Sequence, residues 1–212
     1  MMKEGRKVPA SVERMLASGA TSFYRPADED GQPGMEYFDL VEGSYAPLEP
    51  RPGVIRLSDY KRARGVVERN AGASLIDLDD GVLCLEFHSK MNTLGQDQID
   101  LLDKAIGRAD EEFTALVIAN QGENFSVGAN LMMILMLAQE EDWEELNAAI
   151  QRFQQGMLRM KYAPIPVVAA PFGMTFGGGC EIALHADTMH ASAELYMGLV
   201  EVRVGLIPGS GC

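Results

Sequence analysis

Cysteine is scarce in this sequence, and what there is does not pair. Cys84, Cys180 and Cys212 are odd in number and far apart, with no Cys-x-x-Cys spacing. That excludes a disulfide framework and a cysteine-based zinc site, and it points to a reducing, cytoplasmic compartment. Histidine is equally thin. His88, His185 and His190 show no ligand spacing, so no metal site is expected. Positive charge is outweighed: 18 Lys and Arg stand against 31 Asp and Glu, for a net charge of −13. Nucleic-acid binding asks for a basic patch, so that class of partner is set aside. Long apolar runs are missing too. The longest, "LMMILMLA" (131–138), falls well short of the roughly 20 residues of a membrane span. The opening "MMKEGRKVPASVERM" has no apolar core of the kind a secretory leader needs.

What remains is globular. The 212 residues, 47% hydrophobic and 23% charged, suffice for one domain with a proper core plus an appendage. Two textures divide the chain near residue 71. Residues 1–71 hold most of the ten prolines and little periodicity beyond a short helix at Ala10–Ala17. "ADEDGQPGMEYFDLVEGSYAPLEPRPG" reads as loop, and "VIRLSDYKRARGVVERN" as a helix with a solvated basic face. This part is expected to be a linker, or the remnant of a preceding domain.

From Gly72 the periods become regular. "ASLIDLDDGVLCLEF" predicts a β-hairpin turning at Asp79–Gly81. "QDQIDLLDKAIGRAD" and "DWEELNAAIQRFQQGMLRMKY" predict amphipathic helices, the second stopped by the prolines of "APIP". "ALVIAN" and "PVVAAP" are short apolar runs typical of buried strands, and "TMHAS" and "LYMG" are two further short strands. Strand–helix–strand alternation makes the fold class α/β with parallel pairing. The methionine-rich run at 131–138 is expected to lie in the core, or to line a tunnel for an apolar ligand.

Two loops follow two of these strands and bring a glycine to a helix start: "FSVGANL" (125–131) and "TFGGGCE" (175–181). Three consecutive glycines are an expensive way to begin a helix, at roughly 1 kcal/mol each relative to alanine. Their use is to let backbone approach something closely, with unpaired N–H groups and the positive end of the helix dipole facing it. If the strands are neighbours, amides from both loops converge on one point, the geometry that holds an oxyanion. Glu181 follows in the first helical turn, and "YMGLVEVRVGLIPGSG" (196–211) adds Glu201 and another glycine turn. Cys180, at the same helix start, has no histidine placed to activate it as a nucleophile.

"NFSVGANL", "GMTFGGGCE" and "MGLVEVRVGLIPGSG", in this order and spacing, resemble the enoyl-CoA hydratase/isomerase (crotonase) superfamily. The resemblance runs from Gly72 to Cys212. It implies a spiral of ββα turns binding acyl-CoA thioesters, with residues 1–71 as an irregular, partly helical extension. It implies an oxyanion hole from the amides of Ala129 and Gly178, with Gly128 and Gly177 beside them. Glu181 and Glu201 match the glutamate pair of the hydratases, and Gly209 matches a glycine whose amide helps place the reacting water. Lys90, Met91, Asn92, Asn130 and Leu131 fall where the family borders CoA.

The chemistry implied is addition of water across C2=C3 of a 2-enoyl-CoA, as in fatty-acid β-oxidation. Retention of both glutamates favours a hydratase over an isomerase. Where the family usually has aspartate this chain has Asn130, and where proline often precedes the second glutamate it has Val200. "VPASVERMLASGATSFYR" further resembles the end of a dehydrogenase portion in bacterial fusion proteins. The chain is therefore expected to be an interior piece of a bifunctional 3-hydroxyacyl-CoA dehydrogenase/enoyl-CoA hydratase, stopping short of the family's closing helices. The expected partners are an acyl-CoA substrate, the chain's own dehydrogenase domain and, in the complete protein, further copies of itself. NAD is expected only for the dehydrogenase part, since no GxGxxG fingerprint is present here. A non-catalytic acyl-CoA-binding or packing fragment is the alternative in another class. A nucleotide-phosphate site on the glycine loop is disfavoured by the lack of a GK[ST] ending.

Overall fold

The structure, a computed structural model, describes residues 7–27, 34–49 and 51–210. The chain forms two compact units, Met1–Gly65 and Val66–Cys212.

In the first unit, helix α1 (Ala10–Ala17) precedes an antiparallel sheet of β1 (Tyr24–Pro26), β2 (Met35–Asp39) and β3 (Ser44–Pro47). The β2–β3 hairpin corrects the expectation of loop throughout that segment. Its turn is closed by the Asp39 carboxylate, which accepts from the Val41 and Glu42 amides, and by Gly43 at φ 72°. The strands are stabilised by a miniature core of Met15, Ala20 and Phe38, on which Tyr45 packs edge-on at 5.2 Å. Arg25 covers the Tyr45 ring at 3.8 Å and pairs with Glu36. Helix α2 (Leu57–Arg64) covers only part of the helical expectation, because Gly65 leaves the helix at φ 82°.

The second unit carries the large sheet, ordered β10-β8-β7-β6-β5-β4. Strands β4 (Glu68–Arg69), β5 (Ala73–Asp77) and β6 (Val82–Phe87) pair antiparallel. Strands β6, β7 (Ala115–Ile118), β8 (Val167–Ala169) and β10 (Thr188–Met189) pair parallel. Helices α3 (Gln96–Glu112) and α5 (Trp143–Lys161) bury their apolar stripes with the sheet in one core of Leu75, Leu85, Leu102, Leu116, Met157 and neighbours.

After each parallel strand the chain makes a second, shorter strand-like contact before its helix. Leu94 bridges Ala129, and Ser126 bridges Thr175 of β9 (Gly173–Phe176). Strand β9 in turn pairs parallel with β11 (Leu195–Gly198). These contacts stack into a second layer, and helices α3, α4 (Leu131–Gln139), α6 (Gly178–His185) and a 3-10 turn at Glu201–Val204 follow them in order. The architecture is a spiral of ββα turns. Strand β9 had been expected as part of the glycine turn. Its partners lie far away in sequence, so its local composition hides it. Among the described residues no helix is long and apolar enough to cross a membrane.

Candidate active site

The second layer brings the two glycine loops side by side. Ser126 donates its amide to Met174 O at 3.2 Å and accepts from Phe176 N–H at 2.9 Å. The tips beyond are then pressed together. A Cβ on Gly128, at φ 91°, would lie 2.7 Å from Phe176 O and 3.1 Å from Gly178 N. A Cβ on Gly178 would lie 3.7 Å from Ala129 N, with Leu94 and Phe153 on its other side. Within the glycine triplet the demand is greatest at Gly179, followed by Gly177 for its backbone angle. Gly177 sits at φ 52° under the Glu201 carboxylate, whose Oε1 is 3.0 Å from a Cβ position. At Gly179 a Cβ would meet Ser126 Cβ and O, both at 2.7 Å.

The backbones of Ala129 and Gly178 lie close together here. Leu94 donates to Gly128 O and accepts from Asn130 N–H, which turns the intervening Ala129 N–H to the opposite side. Gly178 begins α6, so its N–H has no intrahelical acceptor. Neither amide has a hydrogen-bond acceptor among the described residues. Two free donors at a helix N-terminus form a local positive potential suited to an anionic oxygen.

Two carboxylates lie in the same locality. Glu181 is buried, and its Oε1 accepts from Ser210 N–H at 2.8 Å. Glu201, in the 3-10 turn after β11, packs on Gly177 and has a buried Oε2 without a hydrogen-bond partner among the described residues. Gly209 adjoins Glu181 through the same turn, and its carbonyl accepts from Gln154 Nε2 at 2.5 Å. The structure thus gathers Gly128, Ala129, Gly177, Gly178, Glu181, Glu201 and Gly209 into one locality.

The remaining residues singled out in the sequence form its border. Lys90–Asn92 is a 3-10 turn with Met91 and Asn92 at positive φ. Met91 O accepts from Val127 N–H, and Asn92 O accepts from the Ser126 hydroxyl at 2.7 Å. Asn130 caps α4 through its side chain, and Leu131 opens that helix half-exposed. The run 131–138 is not core: α4 has no buried residue, and Met132 and Met136 are 66% and 55% exposed. His185 is buried with Nδ1 2.8 Å from Glu181 O, and His88 Nε2 lies 2.9 Å from Ser74 Oγ, so both are held by neighbours. Ser126, Gln154 and Ser210 are structurally central and were not anticipated. Ser126 and Ser210 fall inside the quoted motifs without a role of their own and Gln154 lies outside them, because their work is done on backbone groups distant in sequence.

A ββα spiral whose second-layer strands deliver paired amides to one point is the crotonase fold. Comparisons with known proteins agree. The family model described as enoyl-CoA hydratase/isomerase matches residues 77–212. The chain belongs to that family. Among curated relatives, a probable 3-hydroxyacyl-CoA dehydrogenase of Bacillus subtilis (strain 168) is 46% identical over 207 residues, 98% of this chain and 26% of the relative. A putative fatty acid oxidation complex trifunctional enzyme of Rickettsia felis is 36% identical over 153 residues, 72% of this chain and 21% of the relative. The chain thus spans about a quarter of the length of the curated relatives it matches. Among solved structures, an enoyl-CoA hydratase from Shewanella pealeana superposes with a TM-score of 0.59 at 25% identity, covering 65% of this chain and 53% of that one. Pseudomonas aeruginosa DspI gives 0.58 at 26% identity, covering 70% and 60%.

Proposed function

We propose that the Val66–Cys212 unit is an enoyl-CoA hydratase module of fatty-acid β-oxidation, working within a longer chain that also carries a 3-hydroxyacyl-CoA dehydrogenase. The observation that carries this reading is the pair of amides, Ala129 and Gly178, which lack an acceptor among the described residues and share their locality with two carboxylates. The thioester oxygen of a 2-enoyl-CoA is the anion such a pair would hold. Negative charge builds there as water adds to C3, and each such donor is worth about 10²–10³ in rate. One glutamate takes a proton from the water while the other supplies one to C2, so the pair ends with as many protons as it began. The unpartnered Oε2 of Glu201 suits a bound water. CoA arrives as part of the substrate, so this unit needs no further cofactor. A nicotinamide dinucleotide belongs to the dehydrogenase portion.

The fusion is supported by the Bacillus subtilis relative, whose match covers 98% of this chain and so includes the first unit. The open apolar face of α4, which leaves the loop bearing Ala129, is suited to the acyl tail. Border residues Lys90, Met91, Asn92, Asn130 and Leu131 are assigned to the CoA side. A cytoplasmic homo-oligomer fits a β-oxidation enzyme of this family.

The test is the loss of enoyl-thioester ultraviolet absorbance when the purified chain meets crotonyl-CoA. Glu181→Gln and Glu201→Gln should each lower kcat by about 10²–10⁴. A folded chain that binds crotonyl-CoA without turning it over would leave a binding module instead. Turnover of a 3-enoyl-CoA in place of crotonyl-CoA would assign an isomerase.

A further inference from the structure

The Gly209 carbonyl and the Ser210 N–H are the two ends of one peptide group, and a peptide group is planar. Each end is engaged by a different part of the molecule. Gln154, on α5, donates Nε2–H to the Gly209 oxygen at 2.5 Å. The Ser210 nitrogen donates to Glu181 Oε1 at 2.8 Å. The sense of the Gln154 amide follows from its partner, since only its nitrogen can face a carbonyl oxygen. We infer that Gln154 is a positioning residue for Glu181, acting through the 209–210 peptide. This rests on the hydratase reading for its consequence in turnover, but not for its geometry.

Among the described residues a Cβ on Gly209 would meet nothing within 4 Å, and Ile207, two residues before it, is 80% exposed. A peptide with an unengaged carbonyl can rotate, and rotation would bring the Gly209 oxygen toward the Glu181 carboxylate. Two acceptors would then face each other, and a buried carboxylate oxygen would lose its donor. Gln154 prevents this by fixing the carbonyl on the far side. It also strengthens the opposite N–H, because hydrogen bonds in a chain polarise one another. The link joins α5, α6 and the final turn across 55 and 29 residues of sequence, so no local motif reports it.

The direct readout is the Ser210 amide in ¹⁵N-labelled protein, which tests the geometry whether or not the chain is catalytic. In the unaltered chain it should be downfield and protected from solvent exchange, and it should move upfield in Glu181→Gln. Gln154→Met keeps the length and apolar bulk of the side chain but removes the donor, and Gln154→Glu keeps the shape and reverses the polarity. Both should cost Ser210 its downfield shift and its protection. In turnover of crotonyl-CoA, kcat should fall roughly ten- to a hundredfold with KM little changed, the signature of a misplaced reacting group. A Ser210 amide that exchanges freely in the unaltered chain overturns the inference, and so does one unmoved by Gln154→Met. An unaltered chain with a protected amide and no hydration would instead count against the hydratase reading alone.

Discussion

Two helices leave the two loops that carry the paired amides, and they differ in a way their sequences do not announce. Helix α4 is apolar from Leu131 to Ala138, yet none of its residues is buried. Helix α6, "GGCEIALH", contains a glutamate and a histidine, and seven of its eight residues are buried. Hydrophobicity of a run therefore did not decide burial here. Backbone fit did. The glycines at 177, 178 and 179 let α6 press against Glu201, Leu94, Phe153 and Ser126, and a Cβ at Gly179 would meet Ser126 at 2.7 Å. Helix α4 packs on α5 without fully burying any residue, and Leu131, Met132, Leu135 and Met136 stay open beside the candidate oxyanion hole. One wall of the site is built from protein against protein. The other offers apolar surface to something else.

The comparison breaks most readily at the glycines. Gly179→Ala and Gly128→Ala each drive a Cβ to 2.7 Å from fixed backbone, and Gly128 adds a positive φ of 91°. Each should cost about 3 kcal/mol or more in stability, because a packed core cannot yield that far. Gly209→Ala has open space around it and should fall within about 0.5 kcal/mol of the unaltered chain. Urea unfolding of the three variants decides the point. Equal midpoints would show that contact with Ser126 and Phe176 does not seat α6.

How much of this was legible beforehand follows from where each signal lies. The β5–β6 hairpin was readable from its Asp-Gly turn, and α3 and α5 from their apolar periods, because those signals sit within the element itself. Strands β2 and β9 were not. Met35–Asp39 lies between proline- and glycine-rich stretches, and Gly173–Phe176 pairs with Leu195–Gly198, a strand more than twenty residues on. The glycines and glutamates of the site were legible because each residue type is itself the requirement. Ser126, Gln154 and Ser210 were not, since any polar residue of suitable reach looks alike until the backbone groups it serves are placed. Of the two readings of 131–138, core or tunnel lining, the first is overturned by α4, because composition reports what a segment would prefer to touch, not how deeply it is covered.

The open wall can be sharpened next. A double substitution, Met132→Ser with Met136→Ser, removes exposed apolar surface and should leave stability within about 0.5 kcal/mol. If the acyl tail of the substrate lies on α4, the KM for a medium-chain 2-enoyl-CoA should rise roughly fivefold or more. Each buried methylene contributes about 0.8 kcal/mol, and crotonyl-CoA, too short to reach, should be unaffected. A similar rise for both substrates would place the tail elsewhere. A large loss of stability would show that α4 is held by packing after all, and the contrast with α6 would collapse.

The smallest effect expected belongs to α3, where charge rather than shape disturbs a helix. Burial is the main cause that raises the Asp103 carboxyl above its ordinary value of 3.8, and Asp100 adds to it, while Arg159 opposes it. The Arg159 guanidinium lies 3.3 Å from Asp103 Oδ1 but without the alignment of a hydrogen bond, so the relief is partial. An acid whose folded value is raised binds its proton more tightly in the native state than in the unfolded one. Stability therefore falls as pH rises from 3.8 through the folded value, and the loss persists above it. Asp103→Asn should remove that decline, so the variant is the more stable at neutral pH and the two chains converge below pH 3.8. Arg159→Met should extend the decline to higher pH by withdrawing the opposing charge. Thermal melts of the three chains between acidic and neutral pH would read this directly. Parallel curves would show that Asp103 titrates alike folded and unfolded. Burial on α3 would then carry no electrostatic cost, and backbone fit would remain the one influence separating the helices of this unit.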